Sequence, residues 1–461
     1  MEEKIIDTNE NKEHGTNRCP NCGASDVTYN TKKKKLICNF CYTEFDDEKL
    51  DLNDTKDLEG VTKTTGVKDI VKGNDIVTLK CSGCGAEVVI NTNEATNARC
   101  HWCRSILSIN SQIDNGAIPD VVLPFSLSKE EAQKKIQSFV DERTKYANEE
   151  FKKEFTTKNI MGVYFPYMLV DANCHGTFKG QGEHLVKKYT VKRNDRTETR
   201  YDADLYQIER DFDITIDDLT IESSLDKLNK NSKDKTTNII NSIMPFDTEN
   251  CVKYKGNYLA GYTSEKRDIN VSNIEDKVDN ELKDVTRHSL NDKMSFYNRG
   301  IKWEYEDLKV KGKQWVSAYL PVWLYSYQDQ NKVLHYVAVN ARTGETMGSV
   351  PMNKGKILRT AFLIDLFILI GIIILTALID SSLWFLWFLL LIGVFFYTAQ
   401  VNKYRNKSAR HNYEKETKHE ITNLKEKDEL IKHQTNLSNS TMYGANNKIL
   451  KGESTEVKIE E

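Results

Sequence analysis

The pattern of hydrophobic and polar positions divides the chain into segments of different character. Residues 118–352 alternate short apolar runs with polar stretches, which is typical of an α+β domain. Residues 361–399 are almost continuously apolar, whereas residues 402–461 are charged and have a composition that favours helix near their start. Residues 1–16 and 46–76 are polar and predict a disordered lead and a flexible linker. We therefore expect a multidomain chain.

The clearest element of the 118–352 segment is a helix that begins after Ser128. Ser128-Lys-Glu-Glu131 matches a capping box, in which the serine and the glutamate satisfy each other's free backbone N–H groups. Apolar residues then recur on one helical face until about Asp141, namely Ala132, Ile136 and Phe139. A second helix is predicted near 270–291, and residues 222–238 fit either a helix or a polar loop.

Two pairs of segments in this domain resemble each other and indicate a faint internal duplication. Val163–Val170 and Ala318–Tyr325 both carry a proline inside an apolar, aromatic run that predicts a strand. Leu123-Pro124-Phe125 is echoed in the same way by Met244-Pro245-Phe246. Since proline cannot donate to a sheet ladder, we expect these prolines on edge strands or at strand starts.

The remaining strands of the domain are predicted from alternation and turn chemistry. Alternating segments lie near 199–216. Val333–Asn340 and Glu345–Val350 should form the closing hairpin across the turn Ala341–Gly344.

The apolar stretch consists of two helices that predict a transmembrane hairpin. Residues 361–379 carry one charge, Asp365, and residues 383–399 carry none. Nineteen helical residues of about 1.5 Å each just span a bilayer core of about 30 Å. Lysines and arginines flank both ends, which places both termini in the cytoplasm, so we expect a two-pass protein of the cell membrane. The alternative is one long buried core helix.

The cysteines carry the clearest chemistry, because one spacing occurs twice. Each copy has two Cys-x2-Cys pairs separated by fifteen residues, within ribbons expected at 17–45 and 77–110. Such pairs form closed tetrahedral thiolate sites, so we predict two structural Zn²⁺ sites, with iron as the alternative metal. Thiolate ligands need a reducing compartment, which agrees with the cytoplasmic orientation of the helices. The ligands are Cys19, Cys22, Cys38 and Cys41 in ribbon 1, and Cys81, Cys84, Cys100 and Cys103 in ribbon 2.

Charge bears on nucleic-acid binding. The run Lys32-Lys33-Lys34-Lys35 in ribbon 1 could meet phosphates, but acidic residues follow just downstream. The whole chain has 65 basic and 68 acidic side chains, a balance unlike that of a protein built to neutralise a nucleic-acid backbone. Phe40 and Trp102 hold equivalent places beside the ligands, where packing is favoured over base stacking.

The sequence contains no set of residues arranged for catalysis, so we expect a protein that is not an enzyme, and the sequence identifies no small-molecule substrate. Cys174 and His175 are adjacent, which gives a base and a nucleophile no defined geometry, and His184 makes a further metal site conceivable. Asp365 is an acid inside a membrane segment and thus a candidate for a proton or ion role.

Several motifs in one order resemble a bacterial family of membrane proteins labelled "TFIIB-type zinc ribbon-containing", over residues 77–400. They are Cys81-Ser-Gly-Cys84-Gly-Ala-Glu, Cys100-His-Trp-Cys103, Leu123-Pro-Phe125, Ser128-Lys-Glu-Glu-Ala132, Phe165-Pro-Tyr-Met-Leu169, Tyr258-Leu-Ala-Gly-Tyr262, Tyr319-Leu-Pro-Val-Trp-Leu324 and Val339-Asn-Ala-Arg-Thr-Gly-Glu-Thr-Met-Gly-Ser-Val-Pro351. The resemblance implies a membrane anchor that recruits a phage-shock-protein-A-like coat and a flotillin-like partner. Arg104 stands where the family has glycine, so a different turn is expected there.

We therefore expect two small β zinc ribbons, an α+β cytosolic domain, and a transmembrane helical hairpin with a charged helical tail. The favoured function is a membrane-anchored scaffold or adaptor that recruits protein partners to the inner leaflet, in an envelope-stress response. The alternatives are a membrane-tethered nucleic-acid-binding regulator that uses the ribbons, and a metal or redox sensor. Ribbon 1, which lies outside the resemblance, is expected to be a free docking module.

Overall fold

A computed structural model describes residues 4–7, 17–47, 58, 60–64, 76–91, 98–108, 110, 112–113, 118–193, 196–223, 243, 246–267, 269, 271–291, 294–329, 334–378, 384–405 and 457–459. The predictions for residues 224–238, for Met244-Pro245, and for most of the polar lead, the linker and the charged tail lie outside these residues.

The described elements comprise strands of very different length and five α-helices. The strands are β1 (Lys4–Asp7), β2 (Val27–Asn30), β3 (Lys35–Cys38), β4 (Glu44–Phe45), β5 (Val61–Thr64), β6 (Ile76–Lys80), β7 (Glu87–Asn91), β8 (Gln112–Ile113), β9 (Val121–Val122), β10 (Met161–Arg193), β11 (Arg196–Glu222), β12 (Val252–Lys253), β13 (Thr263–Glu265), β14 (Gly300–Gln328), β15 (Leu334–Asn340), β16 (Thr346–Gly348) and β17 (Val457–Ile459). The helices are α1 (Lys129–Asp141), α2 (Glu149–Glu154), α3 (Glu275–Asn291), α4 (Lys354–Leu378) and α5 (Leu391–Arg405).

A large sheet organises the middle of the chain around the antiparallel pair β10 and β14. Its principal order is β1-β5-β14-β10-β13-β7-β6-β8. In addition, β11 pairs with β10 from Tyr167 onward, and β15 pairs with β14 from Val322 onward. Helix α1 forms where it was predicted, and Ser128 and Glu131 make both hydrogen bonds of the capping box. The predicted apolar face of α1 is buried through Ala132 and Ile136, so the helix is held by packing as well as by its cap. The closing hairpin forms as well, because β15 pairs with β16.

The two echoed proline strands pair with each other at the centre of the sheet, so the prediction of edge or strand-start positions is wrong for Pro166 and Pro321. Pro166 lies opposite Tyr319, and Pro321 lies opposite Tyr164. On the side away from their mutual pairing, β10 changes neighbour from β13 to β11 at Pro166, and β14 changes neighbour from β9 to β15 at Pro321. At these points the carbonyl of Pro166 accepts the N–H of Ser223, and the carbonyl of Pro321 accepts the N–H of Ala341. Because N and O of one strand residue point to the same side, the missing N–H faces this junction and interrupts no bond between β10 and β14.

The polar lead and linker contain strands that were not predicted. Lys4–Asp7 and Val61–Thr64 pair in parallel, and the second segment also pairs with β14. Leu58, inside the predicted linker, is fully buried. The prediction failed because these segments form structure only through partners far away in the chain. The local signal for these strands was their β-branched residues, Ile5-Ile6 in the first and Val61, Thr62 and Thr64 in the second.

The long central strands extend well beyond their predicted cores. β10 covers 33 residues, although only its first part was predicted as a strand. Its outer half, together with β11 and the first part of β14, forms a three-stranded arm. Polar residues dominate this arm, so its sequence lacks the apolar run that marks a buried strand.

The apolar helices α4 and α5 are two helices that contact each other, and neither is a buried core helix. A short 3₁₀ segment, Trp384–Leu390, leads into α5. The spans Lys354–Thr376 and Leu386–Tyr404 are long and apolar enough to cross a membrane. Only 17% and 6% of their apolar 18-residue stretches, respectively, are buried within the molecule. Apolar side chains thus remain exposed on the outside of both helices.

Candidate metal centres

Ribbon 1 brings its four cysteines together at one end of a short sheet. Strands β2, β3 and β4 form a separate three-stranded sheet, whose small core contains Val27 and Leu36. Sγ of Cys19 lies 3.4 Å from Sγ of Cys41, and Sγ of Cys22 lies 3.6 Å from Sγ of Cys38. A tetrahedron with Zn–S bonds of about 2.3 Å has S···S edges of about 3.8 Å, so the four thiols suit a single metal ion.

Ribbon 2 repeats this arrangement on β6 and β7. The Sγ atoms of Cys81 and Cys103 lie 3.4 Å apart, and those of Cys84 and Cys100 lie 3.5 Å apart. In each ribbon the four Sγ atoms all lie within 4.8 Å of one another. Both predicted ligand sets are therefore brought together, and each could hold a metal ion.

The four Cys-x2-Cys knuckles share one backbone turn, including the turn that was expected to differ. In each, the N–H four residues after the first cysteine donates to that cysteine's carbonyl, at 2.8–2.9 Å. The donor residue has positive φ in every case: Gly23, Tyr42, Gly85 and Arg104 at +74°, +59°, +82° and +62°. Arg104 thus adopts the left-handed conformation without being glycine. Hydrogen bonding and sulfur placement determine this turn, and the non-glycine residues bear about 1 kcal/mol or more of strain.

The thiols polarise one another. A hydrogen bond with Thr43 lowers the pKa of Cys41 to about 6, and a hydrogen bond with Cys100 lowers the pKa of Cys81 to about 6. Contacts with Cys103, Cys81 and Cys84 raise the pKa of Cys100 well above its ordinary range. Four thiols at this distance cannot all ionise without a cation between them, so a metal ion would replace their shared protons.

The second knuckles of the two ribbons, equivalent in sequence, have opposite environments. Trp102 is 6% exposed, packs edge-on against Phe165, and donates its indole N–H to Glu265 at 2.5 Å. Its neighbour His101 is buried and lies beside Thr263, with ring Nδ1 3.2 Å from the hydroxyl. In ribbon 1, by contrast, Phe40 is 77% exposed. Packing is therefore correct for Trp102 and wrong for Phe40, a distinction that depends on what faces each knuckle.

Ribbon 2 is part of the central sheet. β7 pairs with β13, and β13 pairs in turn with β10. The Ser326 hydroxyl donates to the His101 carbonyl at 2.7 Å. This metal site therefore rests on the domain that follows it.

Ribbon 1 is also docked on the domain, which corrects the expectation of a free module. The side-chain amide of Asn257 donates to the carbonyls of Ser25 and Val27, and its oxygen accepts the N–H of Asn17. The rings of Tyr29 and Tyr258 pack with centroids 5.5 Å apart. A polar side chain that satisfies three backbone groups gives a defined docking geometry.

Carboxylates face the lysine run of ribbon 1. Lys33 forms an ion pair with Glu44, Lys35 lies 3.5 Å from Asp46, and Lys32 lies 3.9 Å from Glu130. Lys34 occupies the left-handed position of the hairpin turn, with φ of +55°. Each of these pairs is solvent-exposed and weak, yet together they reduce the positive potential that phosphates would meet.

The other candidate residues do not assemble into a site. Cys174 is buried, while the ring of neighbouring His175 lies 2.8 Å from Asp213 on the other face of the strand. His184 lies farther along the arm and stacks on Phe296. Asp365 accepts the backbone N–H of Gly393 at 2.9 Å and so joins α4 to α5.

The fold and these sites define a multidomain chain with two tetracysteine clusters, a sheet-rich domain and two helices apolar enough to cross a membrane. The chain is similar to the uncharacterized protein YdjG of Bacillus subtilis (strain 168). The two are 23% identical over 347 residues, which cover 74% of this chain and 91% of that protein. No family model matches the chain, and no solved structure matches it.

Proposed function

We propose that this protein is a non-enzymatic, membrane-anchored adaptor that binds two Zn²⁺ ions and holds protein partners at the cytoplasmic face of the cell membrane. The observation that carries the proposal is a set of hydrogen bonds between the domain and the ends of both proposed membrane helices. The N–H of Tyr146 donates to the hydroxyl of Tyr404 at 2.6 Å, where α5 ends. The N–H of Asn353, where α4 begins, donates to the carbonyl of Tyr146 at 2.8 Å.

Arg143 adds a further hydrogen bond between the domain and the end of α5. Its side chain is buried, its guanidinium lies over the ring of Phe139, and Nε donates to the carbonyl of Lys403 at 3.3 Å. A cation at the C-terminal end of α5 also favours the helix dipole. The domain is thus joined to both helix ends by hydrogen bonds, which suits a fixed platform better than a flexible tether. Cytoplasmic termini follow from the basic flanks of the hairpin.

The partner surface we propose lies on ribbon 1. Phe40 and Tyr42 are each 77% exposed on the outer side of the metal knuckle. Exposed aromatic side chains on a rigid, metal-held turn are typical of protein interfaces. By the family resemblance, the partners would be a phage-shock-protein-A-like protein and a flotillin-like protein in an envelope-stress assembly.

Affinity capture of the full chain from detergent-solubilised membranes tests this function. The natural chain should recover a protein of either class, and a Phe40→Ser, Tyr42→Ser variant should lose it while keeping its metal. Tyr305→Ser, which removes a half-exposed aromatic ring from the arm, is the matched control. Recovery of neither class, or equal recovery by the double variant, would contradict the proposal. Salt-dependent DNA or RNA binding that disappears when Lys32–Lys35 are replaced by serine would support the regulator instead.

A further inference from the structure

A buried cluster of three aspartates lies at the base of the β10–β11 arm. The ladder between the strands pairs Val170 with Leu219 and then Ala172 with Ile216. Asp171 of β10 is thereby opposed by two residues of β11, Asp217 and Asp218, in a β-bulge. The bulge turns all three carboxylates toward one point, and one oxygen from each lies within 4.8 Å of the other two.

The surroundings of the cluster are unusual for carboxylates. Asp171 is 2% exposed and Asp218 is 8% exposed. Oδ1 of Asp218 is completely buried and has no hydrogen-bond partner among the described residues. An ionised carboxylate oxygen in that position costs several kcal/mol unless a cation or a proton meets it.

The neighbouring charges do not relieve this cost. Burial, followed by the charge of Asp218, raises the pKa of Asp171 well above its usual range. Burial raises the pKa of Asp218 to about 6, against hydrogen bonding with Thr248, and nearby Asp217 and Glu249 add to the increase. The dominant neighbours are thus acidic, and a positive ion at the cluster would reverse the unfavourable interaction of every one of them.

We infer that Asp171, Asp217 and Asp218 bind a hard divalent cation, with Ca²⁺ the best fit. Three carboxylates supply the hard oxygen ligands that Ca²⁺ and Mg²⁺ prefer over the thiolates of the ribbons. Ligands at about 2.3–2.6 Å from Ca²⁺ lie up to about 5 Å apart, which accommodates the observed spacing. Mg²⁺ demands shorter, octahedral bonds and retains more water, so it suits a buried cluster less well. The ion would fix the bulge from which the arm extends.

Calorimetric titration of the detergent-solubilised full chain tests the inference. The protein is first exchanged into divalent-free buffer without chelator, and retention of the ribbon metal is checked by elemental analysis. CaCl₂, MnCl₂ and MgCl₂ are then titrated separately. We expect one saturable equivalent for Ca²⁺, with Mg²⁺ at least about tenfold weaker.

Substitutions at the cluster distinguish binding from a structural effect. Asp217 is half-buried, so Asp217→Asn should fold and bind Ca²⁺ at least about tenfold more weakly. Asp211→Asn, an exposed change on the same strand, is the control and should bind as the natural chain does. Ca²⁺ should also raise the melting temperature of the natural chain but not that of Asp218→Asn. No saturable binding of any of the three ions, or equal binding by Asp217→Asn and Asp211→Asn, overturns the inference. Stabilisation by Asp218→Asn without any response to ions would show instead that the carboxyls share a proton.

Discussion

Phe165 lies directly opposite Leu320 in the antiparallel ladder between β10 and β14, and the pairing of the sheet is symmetric about these two residues. Two residues before each of them, the strand pairs in parallel with a short strand from the other half of the domain. Two residues after each, it pairs antiparallel with its own hairpin partner. The equivalent pairs are Val163–Thr263 with Ala318–Val121, and Tyr167–Glu222 with Val322–Asn340. The duplication indicated by sequence is thus a pseudo-two-fold arrangement, in which each half lends a strand to the other.

The two tetracysteine sites should contribute differently to the stability of the central domain. We expect two equivalents of Zn²⁺ per natural chain, and one equivalent in either Cys22→Ser or Cys100→Ser, as measured by elemental analysis. Cys100→Ser should also lower the melting temperature of the central domain, because ribbon 2 is part of its sheet. Ribbon 1 forms a separate sheet that is docked on the domain by side-chain contacts, so Cys22→Ser should lower this melting temperature less than Cys100→Ser does. Iron in place of zinc, or identical effects of the two variants on melting, would contradict this view.

The opposite environments of Trp102 and Phe40 predict opposite costs of truncation. Trp102→Ala should destabilise the chain by about 3–5 kcal/mol, since it removes a buried ring and leaves Glu265 without its indole partner. Phe40→Ala should change the free energy of unfolding by no more than about 0.5 kcal/mol. Denaturant titration of the two variants in parallel measures both. A cost below about 1 kcal/mol for Trp102→Ala would show that ribbon 2 is not seated as described.

Docking of ribbon 1 should depend on Asn257. Asn257→Ala leaves three backbone groups without their partner, at about 1–3 kcal/mol for each one that stays buried. Hydrogen exchange should therefore speed up in peptides covering 17–47 and stay unchanged in peptides covering 77–91. Asn39→Ala is the control, because Asn39 bonds only to Asp26 and Thr28 of its own ribbon in the described structure. Equal exchange in both variants would argue for a loosely attached ribbon.

The contact between α4 and α5 predicts that substitutions at two glycines have different effects on stability. A Cβ at Gly393 would lie 2.1 Å from Oδ2 of Asp365, whereas a Cβ at Gly371 would have no atom within 4 Å among the described residues. Gly393→Ala should thus displace the carboxylate and destabilise the hairpin by about 1–3 kcal/mol. Gly371→Ala should be neutral or slightly stabilising, because alanine favours helix. Melting of the two variants in detergent micelles compares them, and equal melting temperatures would rule out this helix contact.

The aspartate cluster predicts a pH dependence in divalent-free buffer. The pKa of Asp218 is raised to about 6 in the folded chain, so the folded state holds this proton more tightly than the unfolded state. Stability from this group is therefore lost as pH rises toward and through 6, by on the order of 1 kcal/mol between about pH 5 and about pH 7. Asp218→Asn should remove that part of the decline, and Asp211→Asn should retain it. Denaturation curves at the two pH values give the difference, and an unchanged slope in Asp218→Asn would count against a protonated Asp218.

Features with a local cause could be predicted from the chain alone. The cysteine ligand sets follow from spacing within each ribbon, because a Cys-x2-Cys turn places two sulfurs together whatever surrounds it. The helix after Ser128 follows from a cap and an apolar face within fourteen residues. The two helices that are apolar and long enough to cross a membrane follow from length and composition, which need no knowledge of their neighbours.

Only the tertiary structure decided which surfaces meet. Phe40 and Trp102 occupy the same place in two matching motifs, yet one is exposed and the other is buried against Phe165. Asp171 and Asp218 are 47 residues apart and meet because a bulge shifts the register between two strands. Local patterns carry information about backbone conformation, since they reflect interactions within a few residues. Docking, strand register and the burial of charges depend on contacts between distant segments. The free energy of such contacts cannot be predicted from a short stretch of sequence.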